Sequence, residues 1–115
     1  MAQKIITPQG VVYLDGRLTD GQTRCVHYHS GPDVIAIRFK CCNTYYPCYQ
    51  CHAELAGHEA RLWEKAEYRQ LAVLCGVCKN QLTIAQYLAC GNKCPACGAA
   101  FNPNCSRHHH LYFGT

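Results

Sequence analysis

At 115 residues the chain is one domain's worth of sequence, and its 49% hydrophobic content overstates the core, because 11 of those residues are Cys and 8 are Tyr. The formal charge of +4 comes from Lys and Arg residues that never adjoin one another, so no basic run or helix face marks a nucleic-acid reader. No stretch approaches a membrane span, and residues 1–10 lack the apolar region of a secretory signal. An intracellular, cytoplasmic setting with reduced thiols is therefore expected, where cysteines read as metal ligands rather than as a disulfide frame.

Residues 1–24 read as an N-terminal strand pair or arm packed on the rest. Val11–Leu14 is a strand-like run, while Asp15-Gly16 and Thr19-Asp20-Gly21 are turn signals, so a hairpin leading to Cys25 is expected. In Cys25-Val26-His27-Tyr28-His29, Cys25 and His27 fall on one side of an extended segment, and His29 shares that face. After the break at Ser30–Asp33, residues 34–40 alternate. Ile35, Ile37 and Phe39 face one way and Arg38 and Lys40 the other, the pattern of a half-buried strand that delivers Cys41 and Cys42. Adjacent cysteines point apart if the strand continues and serve two ions, or serve one if the chain turns. One ligand beside one buried thiol is the blander alternative.

Asn43 to Gln50 reads as a tyrosine-rich loop containing Pro47. Cys48 and Cys51 then open a short helix that runs through Ala56 and ends near Gly57. A Cys-x-x-Cys turn presents two sulfurs to one ion. His52 and His58 bracket the helix; six residues apart, they lie about 240° around it at roughly 3.6 residues per turn. If both bind one ion, the helix must stop at Gly57 and the chain must fold back. Cys48-Tyr49-Gln50-Cys51-His52 also matches the c-type haem attachment pattern, but that chemistry needs an exported chain and a second axial ligand, and the only Met is Met1. Pro47-Cys48-x-x-Cys51 with His52-Ala53-Glu54 holds both halves of a zinc deaminase signature in reversed order and abutting, which leaves no room for a substrate between them.

Residues 59–74 read as an irregular or helical connection and then a strand, Leu71–Leu74, running into Cys75, with Trp63 as a cover over the ligand cluster. Cys75-Gly76-Val77-Cys78 and Cys94-Pro95-Ala96-Cys97 are two knuckles separated by fifteen residues, a spacing specific for a four-cysteine zinc site. Gly76 and Gly98 supply the backbone freedom a knuckle requires. Between them, Thr83-Ile84-Ala85-Gln86 fits a capping box and predicts a short helix through Leu88. Cys90, Cys105, His108 and His110 are left over, a donor set for a fourth site or else a spare thiol and a polar tail.

Taken together, Cys25-x-His27-Tyr28, Cys41-Cys42, Tyr46-x-Cys48-x-x-Cys51-His52, His58, Cys75-x-x-Cys78 and Cys94-x-x-Cys97 resemble the CHY-type zinc finger domain over residues 25–97. The resemblance implies a small zinc-stabilised domain, largely irregular, with short β-hairpins and one or two short helices. It implies twelve ligands for three zinc ions: Cys25, His27, Cys41, Cys42, Cys48, Cys51, His52, His58, Cys75, Cys78, Cys94 and Cys97. We group Cys25 and His27 with Cys48 and Cys51, Cys41 and Cys42 with His52 and His58, and the two later knuckles together. These sites carry −1, 0 and −2, which takes the formal +4 to +1 and leaves the charge nearly silent about partners. The organisation expected is an arm at 1–24, a CHY-type two-zinc unit at 25–74 and a zinc-ribbon-like unit with a Cys/His tail at 75–115, integrated as one domain.

Family members that are ubiquitin ligases continue into a RING finger. The sequence ends at Thr115 with none, so ligase activity is not expected. Another member is a small protein of the mitochondrial intermembrane space that supports the disulfide relay importing cysteine-rich chains, although this N-terminus carries no mitochondrial targeting pattern. The expected function is that of a non-enzymatic structural-zinc module, with three and at most four Zn2+, acting through an unidentified protein partner. The alternative is a thiol- or zinc-handling factor that assists assembly or the redox state of cysteine-rich proteins.

Overall fold

β1 (Gln3–Thr7) and β2 (Gly10–Leu14) pair antiparallel with Ile5 opposite Val12 and Ile6 opposite Val11. The turn between them is Pro8-Gln9, so the Val11–Leu14 run has its hairpin partner upstream, while residues 17–22, between the Asp15-Gly16 turn signal and Cys25, lie outside the described residues. The computed structural model describes residues 3–16, 23–25, 34–56, 58, 61 and 63–101. Along it follow β3 (Ile35–Arg38), β4 (Tyr45–Tyr46), α1 (Tyr49–Leu55), a 3-10 turn (Lys65–Glu67), β5 (Leu71–Cys75), β6 (Gln81–Thr83) and α2 (Ile84–Ala89).

Among the described residues, six short strands form one sheet in the order β1-β2-β4-β3-β5-β6. Antiparallel pairing predominates; the exception is a parallel contact between β2 and β4 at Leu14 and Tyr45. The fold is thus a small domain of short strands and two helices, with more continuous sheet than a largely irregular finger. Tyr45-Tyr46, expected in a loop, is the strand that joins the N-terminal hairpin to the rest, and β6 was likewise not anticipated.

Alternation along the strands divides the interior in two. Ile35, Ile37 and Phe39 enter a larger cluster with Trp63, Val73, Leu82, Ile84 and several cysteines. Ala36, with Leu14, Tyr45 and Leu74, forms a second cluster against which Ile5 and Val12 pack. The face of β3 expected to meet solvent is therefore covered at Ala36 by the hairpin, and only Arg38 on it stays half-buried. Trp63 donates its indole N–H to the Arg38 carbonyl at 2.6 Å and lies 4.9 Å from the Arg38 guanidinium, which ties it to β3.

Polar side chains draw the two ends of the sheet together. Gln9, in the β1–β2 turn, accepts from the backbone N–H of Gln81 at 3.0 Å and donates to Asn80 at 3.2 Å. Gln81 in turn accepts from the Tyr45 hydroxyl at 2.8 Å and donates to Thr7 at 3.0 Å. An edge strand is thereby partly shielded from pairing with another chain. α2 begins with the expected capping box, in which Thr83 accepts from Gln86 N–H while the Gln86 side chain accepts from Thr83 N–H. Such a cap contributes about 1 kcal/mol, enough to start a helix too short to stand alone.

Candidate metal centres

The first cluster forms where α1 begins. Cys48 is extended at the N-cap and its sulfur accepts from the backbone N–H of Cys51 at 3.3 Å, which folds both thiols to one side. Cys25 approaches from upstream with its sulfur 3.6 Å from that of Cys48. All three cysteines are buried, and their sulfurs lie within 4.8 Å of one another. His27, grouped with them on the sequence pattern, lies outside the described residues.

The second cluster requires β3 to end sharply. Cys42 and Asn43 both donate backbone N–H groups to the Phe39 carbonyl, at 3.3 and 2.8 Å, and Asn43 adopts a positive φ of 52°. The turn brings Cys41 and Cys42 to the same side with sulfurs 3.9 Å apart. Consecutive residues in a helix are rotated by about 100°, so His52 leaves the direction of Cys51 and meets this second pair instead. Its ring is buried, stacked on Phe39 with centroids 4.1 Å apart and edge-on to Tyr46, and Nε2 lies 3.2 Å from the Cys41 sulfur. His58 folds back beyond the helix. Its Nδ1 sits 2.9 Å from the Ala56 carbonyl, which can only accept, so Nδ1 carries the hydrogen. Nε2 is then the free lone pair, 3.1 Å from Cys41 Sγ. Cys41, Cys42, His52 and His58 thus converge, and His58 is the exposed member.

The third cluster is built from two knuckles with the same backbone. Cys75 N–H donates to the carbonyl of Asn80 and Cys94 N–H to that of Ala99; Lys79 N–H returns to Cys75 and Gly98 N–H to Cys94. In each turn the residue after the second cysteine has positive φ, 63° at Lys79 and 78° at Gly98. Gly76 is therefore not the pivot of its knuckle; Lys79 is, at some cost in strain for a residue with a Cβ. Sulfur distances are 3.7 Å for Cys75–Cys97 and 3.7 Å for Cys78–Cys94, and Cys97 is exposed. Cys90 stands apart, its thiol donating to the Tyr87 carbonyl at 3.0 Å, and it joins no donor cluster among the described residues. Cys105, His108 and His110 lie outside the described residues, so the fourth donor set has only Cys90 within them.

Two observations test whether zinc fits. A tetrahedral ion with Zn–S bonds of about 2.3 Å separates sulfurs by about 3.8 Å and a sulfur from a ring nitrogen by about 3.5 Å. The observed 3.6–3.9 Å sulfur separations agree, and the His–Cys41 distances fall a few tenths short. All ten described cysteines are free of disulfides. The charge environment points the same way. Hydrogen bonding from Cys25, then burial, pushes the Cys48 thiol far up, and burial pushes up Cys75 and Cys42. Burial also acts to raise Cys78, but the Asn80 backbone and side-chain N–H groups outweigh it and bring the thiol down to about 7. Burial, then His58, lowers His52 and keeps its imidazole neutral. Crowded thiols of this kind become thiolates together only around a cation, and a soft divalent ion matches the donor set.

Sequence reasoning missed the supports of these clusters: the Phe39–Tyr46 cradle of His52, the Ala56 carbonyl that orients His58 and the Asn80 contact to Cys78. None carries a spacing signal, because each partner is ordinary until the fold brings it near.

Residues 25–102 match the family model of the CHY zinc finger. The chain is 45% identical over 101 residues to Helper of Tim protein 13 of Saccharomyces cerevisiae, covering 85% of this chain and 87% of that protein. It is 45% identical over 98 residues to Helper of Tim protein 13 of Kluyveromyces lactis, covering 85% of each. An uncharacterized protein of Schizosaccharomyces pombe is also 45% identical over 98 residues, covering 85% of this chain and 86% of its own. No solved structure matches the chain.

Proposed function

The chain belongs to the CHY zinc finger family and is a zinc-binding domain, and from that premise we propose that it acts by binding another protein, as a helper in mitochondrial protein import. The observation that carries the structural half is the convergence of Cys and His donors, at zinc-like separations, into three clusters that contain no carboxylate. Saturated Cys/His sites leave no open coordination position, so the metal contributes folding energy and no reactive water. In this reading Cys41, Cys42, His52 and His58 hold one ion and Cys75, Cys78, Cys94 and Cys97 a second. Cys25, Cys48 and Cys51 hold a third with His27 as fourth ligand.

Elemental analysis of the purified chain is expected to return three zinc ions, and His27→Ala to weaken one of them selectively. A count of two, with His27→Ala silent, would remove the first site from the assignment. The helper role rests on the name borne by the two yeast relatives. No helix among the described residues is long and apolar enough to cross a membrane. The import reading replaces the cytoplasmic expectation with a mitochondrial location. Subcellular fractionation tests it, and recovery solely in the cytosol would count against it.

A second reading is favoured by the exposed ligands His58 and Cys97. A cluster with one ligand at the surface can be opened without unfolding the domain, as a thiol- or zinc-handling factor requires. Competition with a chromogenic chelator separates the readings. One ion leaving far faster than the others supports exchange, and uniform slow release supports a purely structural role.

A further inference from the structure

The outer face of the β1–β2 hairpin carries Ile6, Val11 and Tyr13, which are 79%, 50% and 52% exposed. Ile6 lies opposite Val11 and Lys4 opposite Tyr13, so their side chains share one face. Single exposed apolar residues are ordinary, but here Val11 and Tyr13 also wall a cavity of about 390 Å3. Its opposite side presents Arg38, Arg69, Asn43 and Leu71, and no carboxylate lines it. A second cavity of about 410 Å3 shares Gln9, Leu71 and Gln81 with the first and continues to Pro95 and Ala96 on the second knuckle. Together they form a trough across one side of the domain.

Arg38 is fixed in this trough. Its Nε donates to the Leu71 carbonyl at 2.7 Å, a terminal nitrogen donates to Asn43 Oδ1 at 3.3 Å, and its guanidinium lies against Trp63. A guanidinium has five N–H donors, more than the Leu71 carbonyl, Asn43 and the neighbouring Tyr45 hydroxyl use, so donors remain for an anion. Among the described residues no carboxylate lies within ion-pair distance of Arg38 or Arg69. A half-buried, immobilised cation without a counter-charge is unusual, because partial desolvation is ordinarily offset by an acidic neighbour. Lys40 shows the ordinary case nearby, 2.7 Å from Glu67.

We infer that the trough docks an extended segment of a partner protein, with a carboxylate that meets Arg38 and Arg69 and a large apolar side chain that covers Val11 and Tyr13. The inference rests on the proposed protein-binding role and adds where the partner lies and which chemistry recognises it. Charge complementarity selects the carboxylate. The adjoining apolar shelf favours a peptide over a free anion, which would leave that shelf bare.

The test is selection of a random-peptide display library on the zinc-loaded full chain, followed by fluorescence anisotropy with the peptides recovered. The expected consensus places Asp or Glu beside an aromatic or branched aliphatic residue. Arg69→Glu and Tyr13→Ser, both at exposed positions, should each weaken binding roughly tenfold with zinc content unchanged, and Arg69→Lys should retain most of it. Peptides that bind these variants as tightly as the parent chain would overturn the trough while leaving a protein-binding role in place. Binding of inorganic phosphate alone, with no peptide recovered, would overturn it in favour of a small anion. A sedimentation dimer dissolved by Arg69→Glu would overturn it in favour of a second copy of this chain.

Discussion

Gly16 links the N-terminal hairpin to the first donor cluster through a single close approach. Its φ is +135°, a conformation that side chains rarely adopt, and a Cβ placed there would lie 2.5 Å from Pro47 Cδ and 3.4 Å from the Cys51 sulfur. Pro47 precedes the capping cysteine of α1, so displacing it tilts the turn that presents Cys48 and Cys51. Gly98 also has positive φ, 78°, but a Cβ there meets nothing within 4 Å. The two positions separate strain from clash. Gly98→Ala should cost about 1 kcal/mol from backbone strain alone, and Gly16→Ala about 3 kcal/mol because overpacking is added. Urea unfolding at fixed free zinc measures both. Equal midpoints would show that Pro47 yields without disturbing the cysteines. The role of Gly98 in its knuckle is legible in the sequence, but that of Gly16 is not. Asp15-Gly16 reads as a turn dipeptide, and its packing against Pro47 arises only once the hairpin returns to the sheet.

Among the elements, β4 shows why part of the fold could not be read. It is two residues long and its partners are Leu14 on one side and Ile37 and Arg38 on the other, so no local periodicity announces it. β3 and β5 were legible because each alternates or runs apolar into a cysteine, and α2 because its cap is written in four residues. Of the donor clusters, Cys75, Cys78, Cys94 and Cys97 were legible from the spacing of two Cys-x-x-Cys knuckles, whereas Cys41, Cys42, His52 and His58 carry no such spacing and entered through the resemblance to the CHY-type domain. What β4 contributes can be tested through Tyr45, which is fully buried and donates to Gln81 in the network joining the ends of the sheet. Burial holds its phenol well above the usual tyrosine range, partly offset by Arg38. A raised folded-state pKa means that the associated stability is fully present below about pH 10 and is lost as pH rises toward the folded value. Tyr46, pushed up to about 12 chiefly by burial, adds to the same loss. Tyr45→Phe should therefore cost about 1–3 kcal/mol at neutral pH, because Gln81 loses its donor, yet decline less steeply above pH 10 than the parent chain. Parallel pH profiles for the two proteins would remove Tyr45 as the source of alkaline sensitivity.

At the scale of the molecule, sheet and metal sites are not separable layers. Among the described residues, Cys25, Cys48, Cys51, Cys75 and Cys94 are five of the 17 buried residues of the larger cluster, and the opposite face of the sheet rests on four. Cys75 is both the end of β5, paired with Ile35, and a member of the four-sulfur cluster. A structural zinc contributes about 10–16 kcal/mol in finger peptides, as much as the whole stability of an ordinary domain, so losing all the ions together should exceed what the apolar contacts supply. Chelation is therefore expected to abolish the far-UV sheet signal and the Trp63 fluorescence shift together, at one chelator concentration and with proton uptake by the released thiolates. Within that collapse two cysteines should differ. Cys97→Ala removes an exposed ligand and should lower the zinc count by one with the β3–β5 pairing retained at high free zinc. Cys75→Ala also empties a central strand position and should leave the chain unfolded at any zinc concentration. A chelated protein that kept its sheet signal would show that the apolar core stands without metal, and a Cys75→Ala variant that folded with two ions would show that β5 does not need a side chain of this size at its end.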